Sequence, residues 1–356
     1  MPPLLKFTLR RLLYIPLTML IVTVVMYGTV MFTPIEARAQ LYMPNSNARL
    51  TDEQLQRMLQ RIIRDYDLSE PFPIQYLSWI KSLVSGEWGY SPTLNAPVIN
   101  LIRTRAPVTL ELTLWAVLMY LPLGLMAGIV AGRWHNRRVD HVFRLTAFTA
   151  SSIPSFILGL MLLSFLYVGL GWAGAGRLSA EFELVVDGDS WRTVTGLYTL
   201  DGILNGRLDV TLNALQHLLM PVVALGALHW ATVGRVTRAA MIEESDKPYI
   251  VAAQARGVPE RSLYWKHAFR NAVVPGLTSS ILSAAALLTG VFVIERVFNL
   301  HGVSELIVSS GVANLADAPA ALGFGVFSVT LVLIVMFVLD VLQAVVDPRL
   351  REGVTG

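Results

Sequence analysis

Six membrane-spanning helices and little other regular structure is what this sequence predicts: an all-α, polytopic transmembrane fold with an extracytoplasmic insertion after the first span. Composition is the first reason. Of 356 residues, 54% are hydrophobic and 15% charged, where soluble domains sit near a quarter charged. Segmentation is the second: apolar runs of roughly 20 residues, long enough to cross the hydrocarbon core of a bilayer, alternate with polar stretches. The third is where the basic residues fall. The N-terminal segment, the 133–144 loop, the 235–270 stretch and the C-terminal tail hold more than half of the 28 Lys and Arg, all on one side of a six-span chain. Short basic segments stay in the cytoplasm, so both termini are expected there. There is no cysteine, which excludes disulfides, thiolate metal sites and cysteine nucleophiles.

In chain order, Lys6, Arg10 and Arg11 precede an apolar run from Leu12 to Phe32, the first span, so that residues 1–32 form the first segment. A cleaved signal peptide is the alternative, because Ala37-Arg38-Ala39 has a small-x-small pattern; the run is longer than a signal's apolar core and favours a span. Residues 33–108 form an extracytoplasmic region. Within it Thr51-Asp52-Glu53-Gln54 reads as a capping box. Leu55, Met58, Leu59, Ile62 and Ile63 then line one face at helical spacing, an amphipathic helix resting on the outer face of the protein or bilayer.

Residues 109–356 carry the remaining spans. The second, about Leu110 to Ala131, places Gly124, Gly128 and Gly132 on one face, which lets a neighbouring helix approach closely. Arg133, Arg137, Arg138 and Arg144 follow. The third span, about Leu145 to Trp172, contains Pro154, which should kink it and set Ser152 and Pro154 against a neighbouring helix or cavity. Gly169 to Gly174 match GxGxxG, but at the end of a membrane helix with no strand before them, so the match is chance. Residues 173–213 form a second polar region, where Asp187-Gly188-Asp189 reads as a solvated turn, because it lacks the other ligands of a calcium loop. The fourth span runs from near His217 to Val236, the fifth from about Val274 to Val297, and Pro319 opens a last span to about Leu342.

Between the fourth and fifth spans lies a loop at 237–273, and the polar, basic segment Pro248 to Pro275 makes up most of it and runs into the start of the fifth span. Tyr249, Ala252, Ala253 and Val258 sit at helical spacing and Gly257 interrupts the run. Pro259 and Glu260 signal a second short helix from Arg261 to Phe269. Two short helices joined at a glycine make a knob able to dock on another protein. An ordinary amphipathic loop is the plainer account.

The segment Val251-Ala252-Ala253-Gln254-Ala255-Arg256-Gly257 resembles the "EAA" loop of ABC-importer permeases, a pattern of Glu-Ala-Ala, three residues and Gly. His267-Ala268-Phe269-Arg270-Asn271 is similar to the His-Ala-Leu-Arg-Asn motif of the dipeptide and oligopeptide (peptide/nickel) group, first-permease (B-type) branch. Pro248 stands where an acidic residue often precedes the tyrosine. Similar strings occur elsewhere: Leu68 to Tyr76, Gly86 to Ser91, Thr109 to Leu112, Ser151 to Phe156, His217 to Pro221, Gly290 to Glu295 with Phe298, and Asp347 to Arg351. The turn that usually reads Pro-Gly-Leu-Gly is His301-Gly302-Val303-Ser304 here.

That resemblance implies a type I ABC-importer permease fold in a bacterial or archaeal plasma (inner) membrane. It further implies one permease of a pair, with a homologous second permease, two cytoplasmic ABC ATPases and an extracytoplasmic binding protein. Tyr249, Ala252, Ala253, Ala255, Arg256, Gly257, His267, Arg270 and Asn271 become the ATPase-coupling residues. The chain has no GxxxxGK[ST], HExxH or GxSxG, so ATP and Mg2+ are expected on the partner ATPases and no cofactor, metal or catalytic residue on this chain. Nucleic acid is not an expected partner; membrane lipid is.

Ionisable residues in or near spans are pathway candidates by default. Glu111, His217, Glu295 and Asp340 lie near span ends, where capping or snorkelling is the simpler account. His229 sits deeper. Ser152, Pro154, His229 and Glu295 are therefore the candidates for lining a pathway. The cargo stays open between dipeptides or oligopeptides and nickel or oligosaccharides. A self-sufficient secondary carrier or channel is the alternative of a different class.

Overall fold

The computed structural model describes residues 3–39, 42–43, 51–66, 68–91, 93–309 and 317–347. The closing string is thus covered only at Asp347; Pro348 to Arg351 lie outside the described residues. The chain begins with α1 (Pro3–Val30), followed by α2 (Ile35–Ala39), α3 (Asp52–Asp65) and α4 (Phe72–Val84). A two-residue antiparallel ladder, β1 (Tyr90–Ser91) with β2 (Ala96–Pro97), leads into α5 (Val98–Arg133). Next come α6 (Arg138–Ser152), α7 (Ser155–Leu162) with a π-helical continuation to Gly169, α8 (Ala180–Val186) and α9 (Tyr198–Leu204). The long α10 (Leu208–Ser245) is followed by α11 (Pro248–Ala255). Then α12 (Glu260–Ser262) runs through a π-helical stretch, Leu263–Ala268, into α13 (Phe269–Val297), and α14 (Glu305–Ser309) and α15 (Ala318–Val346) complete the described chain.

The all-α, polytopic expectation holds. Among the described residues, five helical runs are long and apolar enough to cross a membrane: α1, α5, α10, Glu260–Val297 and α15. The pair α6 and α7 supplies a sixth if counted as one broken span. That pair is where the expected kink proves to be a break, with the two segments bent by 102°. The cause is local. A residue before proline avoids helical backbone, and Ile153 is extended at φ −98°, ψ 120°, leaving Pro154 as the N-cap of α7. Several helices also outrun their apolar stretches: α5 starts at Val98 and α10 covers Leu208 to Ser245. Hydropathy marks only the part of a helix that needs lipid; polar turns at either end keep their backbone bonds in water.

The chain divides into two units. The smaller comprises Tyr14–Thr109 and His301–Leu331. Its core is aromatic: the fully buried Tyr27 stacks on Trp79 at 5.1 Å and meets Tyr76 edge-on, while Thr23 Oγ1 and Tyr76 Oη lie 2.9 Å apart. The amphipathic α3 packs on this core through Met58, Leu59, Ile62 and Ile63, and its first turn is capped where Gln54 Oε1 accepts the Thr51 N–H at 3.0 Å. Arg38, the middle residue of the alternative cleavage pattern, donates to Gln75 Oε1 at 2.9 Å. Buried Asp317 accepts the Ser91 hydroxyl at 2.5 Å and the Ala320 N–H at 3.1 Å, tying the ladder to the start of α15. At the turn where His301 replaces the usual proline, His301 is left-handed (φ 54°), and the Val303 N–H donates to Thr109 Oγ1 at 2.9 Å.

The larger unit comprises Met1–Leu13, Leu110–Leu300 and Val332–Gly356. Here the glycine face of α5 meets α10, as the four-residue spacing predicts. A Cβ on Gly128 would lie 2.5 Å from the Gly234 carbonyl oxygen and 2.7 Å from Thr237 Cβ; one on Gly132 would lie 2.7 Å from Met241 Cβ. Beside this contact Arg238 of α10 grips Asp140 of α6 with two bonds of 2.5 and 2.7 Å, and Asp140 is fully buried. Glu111 is buried as well, and it does more than cap. Its Oε1 accepts the N–H and hydroxyl of Thr199, both at 2.8 Å, and its Oε2 accepts Arg177 at 2.7 Å, so α5 anchors the polar 173–213 region. His217 donates through Nδ1 to the Asn213 carbonyl at 2.9 Å, and Asp340 pairs with Arg11 at 3.4 Å.

Gly128→Ala should therefore force α5 and α10 apart and cost about 1–3 kcal/mol of stability, the usual range for overpacking. Gly28→Ala, whose nearest neighbour would be a Phe72 ring carbon at 3.9 Å, should cost nothing measurable. Thermal unfolding of the two purified variants beside the parent checks this.

Candidate functional site: the basic loop and the helix ends around it

The segment singled out in the sequence is a short helix held between two long ones. Lys247 is extended (φ −71°, ψ 145°) and Pro248 takes the first helical turn, where its missing N–H leaves no unmet bond. The end of α11 is closed by a glycine in the left-handed region, Gly257 at φ +79°. The Gly257 N–H donates to the Gln254 carbonyl at 2.9 Å and the Val258 N–H to the Ala253 carbonyl at 3.2 Å, which is the Schellman closure. A Cβ on Gly257 would meet nothing within 4 Å. Within this chain the residue is thus glycine for its backbone, not for a close approach to its own neighbours.

The second expected short helix is not a separate element. Glu260 starts a helical run that continues to Val297: no left-handed residue interrupts it, and Pro275 is accommodated inside α13 without ending the helix. The knob is therefore α11 alone, set against the first turns of a span.

Its two faces differ. Ile250 and Ala253 are buried, whereas Val251, Ala252, Gln254, Ala255, Arg256 and Gly257 are exposed. Of the alanines proposed for contact, Ala252 and Ala255 face outward and Ala253 faces the body of the unit. His267 and Arg270 are exposed on the helical run that follows.

Tyr249 and Asn271, more than 20 residues apart, are brought together by a residue the sequence reading passed over. Glu244, in the last turn of α10, is buried. Its Oε1 accepts the Tyr249 hydroxyl and the Asn271 amide, the latter at 2.8 Å, and its Oε2 accepts Lys247 Nζ. Asn271 Nδ2 also lies 3.1 Å from Tyr249 Oη. Burial, then the bond to the Glu244 carboxylate, holds the Tyr249 phenol above its usual pKa. A signal for Glu244 does exist in the sequence: it follows Thr237 and Met241 at i+7 and i+3 on the buried face of α10, and a lone acid on such a face needs partners. Nearby, Arg133 at the end of α5 pairs with Glu260 at 3.5 Å and lies over the Tyr264 ring at 5.1 Å.

The pathway candidates separate into two kinds. Ser152 and Pro154 are exposed at the break after α6, with Ser152 Oγ donating to its own helix at the Phe148 carbonyl, 2.8 Å away. His229 is buried in α10 with its ring 5.5 Å from that of Tyr120, and Glu295 is buried near the end of α13.

Residues 124–352, which include the whole of this loop, match the family described as "Binding-protein-dependent transport system inner membrane component". The chain belongs to this family. Similar members include the probable D,D-dipeptide transport system permease protein DdpB of Escherichia coli (strain K12), 34% identical over 87% of this chain and 90% of its own length. The di/tripeptide transport system permease protein DppB of Pseudomonas aeruginosa (strain UCBPP-PA14) is 32% identical over 80% of this chain and 82% of its own. The glutathione transport system permease protein GsiC of Escherichia coli (strain K12) is 30% identical over 98% and 99% respectively. As a binding-protein-dependent permease component, the chain is a multi-pass membrane protein with the type I ABC-importer permease fold.

Gly257→Ala should loosen the closure of α11 by about 1 kcal/mol, the cost of placing a side chain in a left-handed position. Hydrogen exchange at the Gly257 and Val258 amides, which close the helix, should quicken by about fivefold, with the amides of α5 unchanged.

Proposed function

We propose that the chain is one of two permease subunits of an ABC importer for dipeptides or oligopeptides, and that α11 is the element on which a cytoplasmic ATPase docks. The observation that carries the docking is the outward face of α11. A helix whose inner side is held by Ile250, Ala253 and the Glu244 bonds presents Val251, Ala252, Gln254, Ala255 and Arg256 to another protein. Small side chains at Ala252 and Ala255 let a partner's backbone come close, and Arg256, Arg261 and Arg270 offer charge to acidic groups on it. Peptide cargo is supported by the printed functions of the relatives, which are D,D-dipeptide, di/tripeptide and glutathione transport.

In this reading the basic loops and both termini lie in the cytoplasm, and the α8–α9 region lies on the opposite, extracytoplasmic side. Energy comes from ATP and Mg2+ held by two ATPase subunits, because the chain has no phosphate-binding loop of its own. Closure of the ATPases displaces α11. The α10 and Glu260–Val297 helices that flank it tilt with it, exchanging inward-open for outward-open states whose affinities for cargo differ. A homologous second permease completes the pathway. A self-sufficient carrier does not account for membership of a binding-protein-dependent family.

The test is Gly257→Trp in the chain co-expressed with its ATPases and binding protein. The space around Gly257 is open in this chain, so a bulky group there reports on the partner, and Gly257→Ala controls for backbone strain. Stimulation of ATP hydrolysis by loaded binding protein should fall by about tenfold or more in Gly257→Trp, with membrane insertion unchanged. Stimulation at the parent level would remove α11 as the docking element.

A further inference from the structure

The Glu244 cluster has a property that general stabilisation does not require: it joins three separate segments at one carboxylate. Glu244 belongs to the end of α10, Tyr249 to α11, and Asn271 to the start of the long helix after α11. Both links to α11 are non-helical, Asp246–Lys247 on one side and Arg256–Pro259 on the other. On those links alone the short helix could pivot. We propose that Glu244 is a positioning residue that clamps α11 to α10 and α13, so that displacement of the docked helix moves both long helices instead of being lost at the two links. This proposal rests on the docking reading above and adds the residue that makes the docked helix rigid.

The geometry supports the clamp in three ways. The Glu244 side chain is only 5% exposed, and a buried carboxylate is retained at low cost only when its oxygens are well paired. Both oxygens are paired, Oε1 by Tyr249 and Asn271 and Oε2 by Lys247. The Asn271–Tyr249 contact of 3.1 Å closes the triangle, so α11 and α13 are also joined directly. Finally, the helices it grips are packed tightly on each other: a Cβ on Gly276 of α13 would lie 2.1 Å from Thr237 Oγ1 of α10. A push transmitted to either helix is felt by both.

Asp140 provides the contrast. Its hydrogen bonds come from Arg238 of α10 and from the Asn136 N–H, so it fastens α6 to the same end of α10 through residues outside α11. Loss of that pair weakens this end of the unit without freeing α11, which separates clamping from stability.

Two measurements on the full-length chain test the clamp. The chain has no cysteine, so Gln254→Cys carries a single nitroxide on the exposed face of α11 in nanodiscs. Glu244→Ala and Asn271→Ala should each raise label mobility by about threefold, Glu244→Gln should recover most of the order because its carbonyl still accepts from Tyr249 and Asn271, and Asp140→Asn should leave it unchanged. In proteoliposomes holding the complete transporter, with L-alanyl-L-alanine as the probe, uptake by Glu244→Ala is read per ATP hydrolysed, so that any loss of bound ATPase is divided out. Its dipeptide uptake per ATP hydrolysed should drop by about tenfold, with Glu244→Gln within about threefold of the parent. Parent-like label mobility in Glu244→Ala, or in Asn271→Ala if the former does not insert, overturns the clamp, and so does parent-like uptake per ATP. Failure of the unmutated chain to retain ATPases or take up the dipeptide overturns the docking or cargo reading instead, while the label result still decides the clamp.

Discussion

Close contact between α5 and α10 is the constraint on which the larger unit depends. Lipid supplies no hydrophobic drive between helices, so their association rests on how near two backbones can come. Gly128 and Gly132 bring α5 within reach of the Gly234 and Arg238 carbonyls of α10. With α10 so placed, Arg238 reaches Asp140 on α6, and Thr237 packs against Gly276 on α13. Three helices are thereby set around one, and the α11 segment hangs between that central α10 and α13.

Buried carboxylates do the rest. Glu111, Asp140, Glu244 and Asp317 each accept bonds from two or more segments, and each fastens something irregular to a long helix. Glu111 holds the 173–213 region, Asp317 holds the β1–β2 ladder, Asp140 holds the turn at Asn136 and Glu244 holds α11. An acid in an apolar protein costs too much to be left unpaired, so wherever one is buried it gathers its surroundings. Asp140, Glu244 and Asp317 sit at or beside helix ends, where loops must be given a shape, whereas Glu111 lies inside α5.

Several of these features could be read from residue order. The Gly124, Gly128 and Gly132 spacing foretold a close helix contact because a period of four keeps small residues on one face. The face of α3 followed from Met58, Leu59, Ile62 and Ile63 for the same reason. Gly257 was legible as the end of a helix, since few residues accept a left-handed backbone. Other features were not. Pro154 predicts a kink, but whether a proline bends a helix or breaks it depends on whether the preceding residue leaves helical backbone, as Ile153 does. The signals at Pro259 and Glu260 predict a short helix where a long one forms, because local start signals say nothing of where a helix stops.

Residue order alone settled that this is an all-α, multi-span membrane chain with a short, glycine-closed helix in a basic loop. Apolar run length, helical period and glycine placement are local properties, and a single strand of text displays them. Tertiary structure alone decided which polar groups meet. Tyr249 and Asn271 were singled out as members of two separate motifs, and only the packing of α10 beside α13 showed that both bond to Glu244, a residue in neither. Hydrogen bonds between segments depend on the relative placement of helices, and that placement arises from side-chain packing across the whole unit, which no local pattern encodes.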